Sequence, residues 1–443
     1  MAVRRHILLA VKTQFFDRVE PAAARREDAQ VAAGTVIAIA LLVGWFRPGM
    51  IIACIFYSFS IGTLLDFPQI TAILVTLVVA MLILRHLVYR NVVRVILLDL
   101  VFAAYVCWCS ATCLWSSSPV AAQEVSAFVA SIVSTYLAFR LVGSSGPLDR
   151  IVSQMQAGFL VLTLVVVPLV FASGLFLNGR IFVNGGPPVA LSQPVPYVLI
   201  CAAALILHAK KQHLAAVFLD LLVSGTAMAM VVATGTRGAL ITLVAGLCTL
   251  LFMSRPSASR LFGVALAIAF TAATVMLLAE TFGVGQNLAS RLLAFGRYGN
   301  EADLSSAARL ESYALAWTMF AQHPLAGAGL GSFEHSYGGL YPHNLFLEVL
   351  SETGVIGLAL IAIVGVCAAA RWRHLSRTYT IGVSSVIGAM LVAGFVHQQF
   401  SFELAQAKGL LLIAVLAGAR IESPASDDAA AHSASGTAGL HSA

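Results

Sequence analysis

Three residues that can bind or move charge lie beside breaks between apolar runs in the second half of the chain. Arg237 lies in a Thr-Arg-Gly turn, Arg309 opens a mixed segment, and His343 follows Tyr-Pro. Arginine stays charged at any working pH, and its planar fork makes two parallel hydrogen bonds to a phosphate. Histidine exchanges a proton near neutral pH. These residue types predict a site that binds a phosphate or diphosphate beside a proton acceptor.

The local sequence supports this interpretation and also leaves a structural one open. A proline precedes His343, which is typical of a first helical turn, and a helix N-terminus favours bound anions. Against this, Arg237 could anchor a helix end to lipid headgroups. Arg309 could pair with Glu311 or Asp303, and His343 could cap or pack a helix.

The segment 308–357 holds most of the remaining candidates. Its polar and special residues include Trp317, His323, Pro324, Gly327, Gly329, Gly331, Glu334, His335, Asn344 and Glu352. The glycines predict a flexible loop and not a phosphate loop, because no Lys-Ser/Thr follows them. No group with metal-ligand spacing is evident, so we predict neither a metal nor a cofactor.

The composition predicts a membrane protein. The chain has 443 residues, of which 59% are hydrophobic and 10% charged, whereas soluble domains are about a quarter charged. A span needs roughly 20 apolar residues, and backbone groups in lipid must be satisfied internally. We therefore predict an all-α, polytopic fold of about twelve spans with one large periplasmic loop that carries short helices. The net charge of +6 comes from connectors between apolar runs and does not indicate nucleic-acid binding.

The spans alternate with connectors rich or poor in Lys and Arg, which sets their orientation. Predicted spans lie near 31–46, 50–65, 70–88, 95–115, 122–142, 151–177, 189–208, 214–234, 238–253, 261–279, 343–370, 380–398 and 408–420. Basic connectors predicted to be cytoplasmic are Arg85–Arg94, Arg140–Arg150, Lys210–Lys211, Arg255–Arg260 and Arg371–Arg377. This pattern places 280–342 outside the cytoplasm and the C-terminus inside.

The chain divides into five predicted regions: a basic cytoplasmic segment 1–30, membrane helices 31–279, a periplasmic loop 280–342, membrane helices 343–420 and a disordered tail 421–443. We prefer an N-terminus inside, with 31–65 crossing once as a helix interrupted at 47–49. Thirteen crossings are the alternative. Asp99 and Asp220 lie within apolar runs, and we expect them to snorkel or to pair with Arg94, Lys210 or Lys211.

The motifs resemble those of the O-antigen ligase and polymerase family. They are an Arg with a Trp eight residues later, His-Pro-Leu-x-Gly-x-Gly-x-Gly-x-Phe, Pro-His-Asn, and Glu-x-Gly-x-x-Gly. The residues are Arg309, Trp317, 323–333, 342–344 and 352–357, together with Thr-Arg-Gly at 236–238 and the early turn at 115–119.

The resemblance implies a bacterial inner-membrane glycosyltransferase that acts at the periplasmic face. Such proteins take a glycan from undecaprenyl diphosphate, and the ligases pass it to lipid A–core. The family's essential arginines and histidine map onto Arg237, Arg309 and His343. Trp317, Asn344 and Glu352 are predicted to contribute to substrate binding. We expect membrane lipids as partners and no nucleic acid.

Residues and resemblance together predict that the arginines hold the diphosphate and stabilise the leaving charge while His343 accepts the acceptor's proton, with inversion. Glu334, Glu348 or Glu352 could be the base instead. The main alternative is a polymerase of O-antigen or exopolysaccharide in the same family. A lipid-linked sugar transporter would need a polar path through the bilayer, which the dry spans disfavour.

Overall fold

The computed structural model describes residues 35, 43–66, 70–177, 180–184, 186, 188–208, 214–281, 304–338, 341–400 and 406–419. In chain order the helices are α1 (Met50–Leu64), α2 (Ile70–Val88), α3 (Leu97–Ala111), α4 (Ala121–Gly143), α5 (Leu148–Ser173), α6 (Pro188–Ser192), α7 (Val195–His208), α8 (Leu214–Thr234), α9 (Arg237–Ser254), α10 (Ala258–Thr281), α11 (Leu304–Gln322), α12 (Ser332–Ser336), α13 (Leu345–Thr378), α14 (Ile381–Gln398) and α15 (Ile413–Gly418). Short 3₁₀ turns cover Thr112–Leu114 and Leu410–Leu412. One antiparallel hairpin pairs β1 (Leu175–Leu177) with β2 (Arg180–Phe182).

The predicted all-α, polytopic fold is confirmed. Within the described residues, 8 helices are long and apolar enough to cross a membrane, and α1, α2 and α10 supply shorter apolar helices. Large apolar side chains such as Phe252 and Val366 are exposed on the outside of the bundle. A soluble protein rarely exposes such side chains over a large area, so these faces suit lipid. Most of 31–42, all of 1–30 and 282–303, and everything after 419 lie outside the described residues, so the choice between twelve and thirteen crossings stays a prediction.

The core of the bundle surrounds α1, which is buried along nearly its whole length. The Phe56 ring packs against Phe139, Phe159 and Tyr197, with its centroid 4.4 Å from that of Tyr197. Gly49 donates its N–H to Gln154 of α5 at 3.0 Å, and the Tyr57 hydroxyl meets Thr163 of α5 at 2.7 Å. The two helices therefore run parallel, and α1 crosses the bundle beside α5.

The membrane helices meet at two ends. At the first, called here the basic end, the last residue of α7 lies between α9 and α14, because His208 Nε2 contacts Ser254 Oγ and Ser385 Oγ, each at 3.1 Å. At the opposite end, called here the loop end, α3 meets the start of α13, where Trp108 donates to the Thr353 carbonyl at 3.0 Å. The predicted cytoplasmic connectors that the structure describes, such as Arg255–Arg260, belong to the basic end, and the candidate site lies at the loop end.

Asp99 forms an ion pair that differs from the expected one. Its carboxylate accepts from Arg140 Nε at 2.8 Å and from the Tyr136 hydroxyl at 2.7 Å. Arg94 contributes only its backbone carbonyl, which accepts from Arg140. The expected pairing of Asp99 with Arg94 is therefore wrong, because α4 places a guanidinium closer to the carboxylate than the neighbouring loop does.

Candidate functional site

His343 lies immediately before α13 in a left-handed backbone conformation, with φ of 54°. Histidine is one of the few side chains enriched in this region, and such strained positions cluster at functional sites. The next residue, Asn344, is the N-cap of α13, and its side-chain oxygen accepts the Leu347 N–H at 3.1 Å. The helix begins at Leu345, so Pro342 and His343 lie before its N-cap and not in the first helical turn that the sequence predicts for them. Asn344 fixes the backbone that presents His343.

The imidazole of His343 has the surroundings of a proton acceptor. It packs against the Tyr341 ring with centroids 4.3 Å apart, and its Nδ1 is buried without a hydrogen-bond partner among the described residues. Burial and the nearby positive charge of Arg309 lower the pKa of His343 from 6.5 to about 4. Both causes disfavour the charged form, so the ring is neutral at pH 7 and able to accept a proton.

Arg309 lies on α11, which is docked against the start of α13. Ala316 and Met319 form the buried face of α11 and pack on Phe333 and Leu347. Among the described residues, the Arg309 guanidinium makes no ion pair, and the expected alternative of a salt bridge to Glu311 does not form. Within the described part of the chain, Arg309 therefore places a cation without an ion-pair partner beside His343.

Arg237 is the first residue of α9, directly after the turn that joins α8 to α9. Hydroxyl groups hold this turn: Thr236 donates to Ser192 at 2.9 Å and contacts Thr234 at 3.1 Å. Arg180, on β2, donates to the Gly235 carbonyl at 3.4 Å. A second guanidinium therefore lies against the Arg237 turn, at a helix N-terminus where anions are favoured.

The structure places the three predicted site residues at one end of the bundle, because α14 packs against both α9 and the first turn of α13. Gly246 of α9 lies beside Ala393 of α14. Two residues later, Phe395 packs edge-on against Phe346 in the first turn of α13, with centroids 5.8 Å apart. Arg309 and His343 are within direct electrostatic reach of each other, and Arg237 belongs to a neighbouring turn at the same end.

The glycine motif builds the support beneath the site. Gly354 breaks α13 with φ of 66° and ψ of −167°, so the carbonyls of Ser351 and Glu352 lose their usual helical donors. The amides of the glycine loop replace those donors, with Ala328 N–H bonding Ser351 O at 2.8 Å and Gly329 N–H bonding Glu352 O at 2.9 Å. In return, the carbonyls of Pro324 and Leu325 accept from Val355 and Ile356 at 2.9 and 3.3 Å. The loop is thus docked against a broken helix rather than free.

The early turn 115–119 is hydrogen-bonded to the other side of the same loop, and this set of contacts between 115–117 and 327–332 is called here the clasp. Trp115 donates its indole N–H to the Gly327 carbonyl at 3.1 Å, and Ser116 Oγ donates to the Leu330 carbonyl at 2.7 Å. The hydroxyl of Ser332 contacts Ser116 Oγ at 2.9 Å and accepts the Ser117 N–H at 3.1 Å. The turn and the loop are more than 200 positions apart in sequence, so neither motif alone reveals the contact.

The predicted substrate-binding residues have distinct surroundings. Trp317 is 58% exposed, and its ring packs on Phe320 with centroids 5.3 Å apart. Glu352 is buried and its Oε1 accepts the Phe333 N–H at 3.2 Å. Glu352 also lines a cavity of about 180 Å³ whose other walls include Glu124, Glu334, Glu348, Phe128, Tyr341 and Pro342. Within the described part of the chain, no group of three or more His, Cys, Asp or Glu side chains is arranged to hold a metal ion.

A family model described as O-antigen ligase matches residues 221–362. The chain resembles the O-antigen ligase and polymerase family. The matched region runs from α8 into α13 and contains Arg237, Arg309, Trp317, His343, Asn344 and Glu352, so the resemblance predicted from the motifs is confirmed. This resemblance supports a membrane protein of the glycosyltransferase type, and lipid-linked glycans and polysaccharides are the class of substrate that it implies. A search of curated proteins found no significant match.

Sequence reasoning missed two features of this O-antigen ligase-like site. Arg180 was not singled out because it lies outside every motif, between Gly179 and Ile181; only the hairpin brings it to Gly235. Glu124 was missed because it lies in the first turn of a predicted span, yet it reaches the wall of the cavity beside Gly331. Asp303, which the sequence offered as a partner for Arg309, lies outside the described residues.

Proposed function

We propose that this protein is an inverting, metal-independent glycosyltransferase of the ligase type, acting at the periplasmic face of the bacterial inner membrane. The donor is a glycan on undecaprenyl diphosphate and the acceptor is a sugar of lipid A–core. One observation carries the proposal: a half-buried histidine that is neutral at pH 7 lies beside an arginine that has no ion pair among the described residues. A base and an anion-binding cation are the two groups that this transfer needs.

The chemical step follows from these roles. The acceptor hydroxyl oxygen attacks the anomeric carbon of the donor glycan, and the bond from that carbon to the diphosphate oxygen breaks. The leaving diphosphate takes the electron pair, and Arg237 and Arg309 stabilise its growing negative charge. The hydroxyl proton passes to the imidazole of His343. Because the attack and the departure occur on opposite faces of one carbon, the product has the inverted configuration.

The arginine positions suit a lipid-linked phosphate. Arg237 begins a membrane helix at the loop end, and Arg309 lies on a helix packed over the start of α13. A diphosphate attached to a membrane-embedded chain reaches this level of the protein without leaving the bilayer surface. Fixed arginines supply positive charge where charge develops, which is the most effective placement for electrostatic catalysis.

The proposal is tested in a strain that lacks the gene and is complemented with wild type or with Arg237→Ala, Arg309→Ala or His343→Ala. We expect wild type to restore long glycan on lipid A–core by gel, and each variant to leave glycan on undecaprenyl diphosphate. Arg373→Ala, an exposed arginine near the basic end, is the control and should behave as wild type. Protein levels are measured in the same membranes.

The same experiment separates ligase from polymerase, since both use the same donor. Single repeats attached to lipid A–core in the deletion strain would identify a polymerase of O-antigen. Intact lipopolysaccharide with loss of secreted polymer would identify a polymerase of exopolysaccharide. Wild-type behaviour of all three site variants at normal protein level would refute the site.

A further inference from the structure

A second polar cavity lies at the basic end of the bundle, remote from the candidate site. Its volume is about 480 Å³, and it opens between α5, the end of α7, the start of α8 and the start of α14. Most of its walls are apolar and include Leu160, Ala204, Leu219 and Val386. The proposed transfer reaction uses no residue of this cavity.

Two buried polar side chains in the cavity have no partner within the described chain. Asp220 and Gln156 are each 8% exposed and both line the cavity. Neither side chain makes a hydrogen bond or ion pair among the described residues; the expected pairing of Asp220 with Lys210 or Lys211 involves residues outside that part. Buried polar groups are almost always hydrogen-bonded, and an unpaired buried carboxylate is costly. The pair therefore points to a ligand that donates hydrogen bonds and carries positive charge.

The other polar side chains of the cavity are exposed or already engaged. Asp149, Ser153 and Thr380 are exposed, and His208 Nε2 contacts Ser254 and Ser385. Asp220 and Gln156 are therefore the buried groups that face a ligand. Arg260 lies within electrostatic reach of His208, so the cavity combines a buried carboxyl group with a cation close to its wall.

We propose that this cavity binds the primary ammonium of a membrane phospholipid headgroup. The ammonium donates to the Asp220 carboxylate and to the Gln156 side-chain oxygen, and Arg260 lies on the His208 side for the lipid phosphate. A lipid is favoured over a soluble amine because the walls are apolar and Leu219 is 42% exposed on the outer surface of a membrane helix. Acyl chains can therefore follow the wall out of the cavity.

The test uses the full-length protein in nanodiscs of phosphatidylethanolamine, phosphatidylcholine or phosphatidylglycerol, followed by native mass spectrometry of the lipids that remain bound. We expect selective retention of phosphatidylethanolamine, because choline has no N–H donor and glycerol no charge. Asp220→Asn should reduce that retention about tenfold or more, as expected for the loss of a charge-assisted hydrogen bond. Gln156→Ala should reduce it by a smaller factor.

Asp66→Asn is the control, since Asp66 is an exposed carboxylate at the opposite end of α1, and it should retain the lipid as wild type does. Asp220→Asn should fold, because it removes an unpaired buried charge. Equal retention of the three lipids by wild type, or undiminished selectivity in both cavity variants, would overturn the proposal. The proposal would also be overturned if millimolar free ethanolamine in detergent raised the thermal stability as much as phosphatidylethanolamine does, because the ligand would then be a soluble amine.

Discussion

Arg309 lies close enough to His343 for its charge to depress the pKa of the imidazole, adding to the larger effect of burial. A histidine in water is half protonated near pH 6.5, whereas His343 reaches that point at about pH 4. The ring is therefore a neutral acceptor throughout the physiological range. The same arginine charge that is proposed to bind the diphosphate thus also helps to keep the proposed proton acceptor neutral.

The first prediction concerns the pH dependence of transfer. Because His343 is neutral above its lowered pKa, the rate should stay level from pH 7 down to about pH 5 and fall as the pH approaches 4. Purified protein and a lipid-linked donor, assayed by initial rate, provide the measurement. A half-maximal rate near pH 6.5 would contradict the assignment of His343 as base.

Stability must be followed in the same samples, because linkage acts in the same direction. A histidine whose pKa is lower in the folded state binds fewer protons than in the unfolded chain between pH 6.5 and 4. Folding stability is therefore lost as the pH falls through that window. Thermal unfolding at each pH separates loss of folded protein from protonation of the base.

The second prediction removes the charge next to the histidine. In Arg309→Gln the electrostatic contribution is lost and burial remains, so the pKa of His343 should rise yet stay below 6.5. Histidine-selective isotope labelling and NMR titration of the purified protein measure this shift directly. Arg309→Lys keeps the positive charge and serves as the matched control. An unchanged pKa in Arg309→Gln would show that Arg309 does not act on the ring.

The third prediction compares two glycines with similar backbone conformations. Gly327 has φ of 71° and Gly338 has φ of 67°, but a Cβ at 327 would overlap the Glu352 backbone, whereas a Cβ at 338 meets nothing within 4 Å. Gly338→Ala should cost about 1 kcal/mol, the strain of a left-handed alanine. Gly327→Ala should cost about 1–3 kcal/mol more through overpacking. Thermal unfolding in detergent measures both, and equal losses would contradict the docking of the loop on α13.

This glycine loop shows how far the sequence could be read. The motif spacing predicted a site in this segment, and that assignment stays a prediction. The loop that was predicted to be flexible is docked in the structure, since its glycines allow two backbones to approach at Gly354 and the early turn at 115–119 contacts its other side. Sequence alone could not reveal this, because close approach and freedom of motion select the same residue type.

Hydropathy predicted most of the membrane helices, but the predicted span 408–420 is a 3₁₀ turn followed by α15, Ile413–Gly418, which has only 6 residues. The predicted span 343–370 is α13, Leu345–Thr378, and 151–177 ends earlier as α5 at Ser173. The ion partner of Asp99 was missed because Arg140 is 41 positions away. Lys408 was missed as well: its ammonium lies inside the bundle and donates to Ile55 O at 3.0 Å and Ser58 Oγ at 2.9 Å. Such pairings depend on helix packing, which periodicity does not encode.

The fourth prediction concerns the clasp between the early turn and the glycine loop. Ser332 is fully buried, and its Oγ accepts the Ser117 N–H, contacts Ser116 Oγ and donates to the Ala328 carbonyl, so Ser332→Ala removes all three contacts. We expect a loss of about 1–3 kcal/mol in unfolding free energy. Ser336→Ala, one turn later on α12, removes only a hydrogen bond to the Ser332 carbonyl at an exposed position, and should be nearly neutral. Similar losses in the two variants would argue against the clasp.

The last prediction tests Arg180, which the sequence motifs do not mark. Its guanidinium lies against the carbonyl of Gly235, two residues before Arg237. If it shares the diphosphate with Arg237 or holds that turn in place, Arg180→Ala should raise the KM for the lipid-linked donor about tenfold or more, the worth of one charge-assisted hydrogen bond. Arg180→Lys separates the two roles: a lysine keeps the charge near the phosphate but loses the planar fork that reaches the carbonyl. Rescue of KM by Arg180→Lys would indicate direct binding of the diphosphate, whereas failure of rescue with a matching fall in kcat would indicate positioning of the Arg237 turn. A wild-type KM and kcat in Arg180→Ala would remove Arg180 from the site.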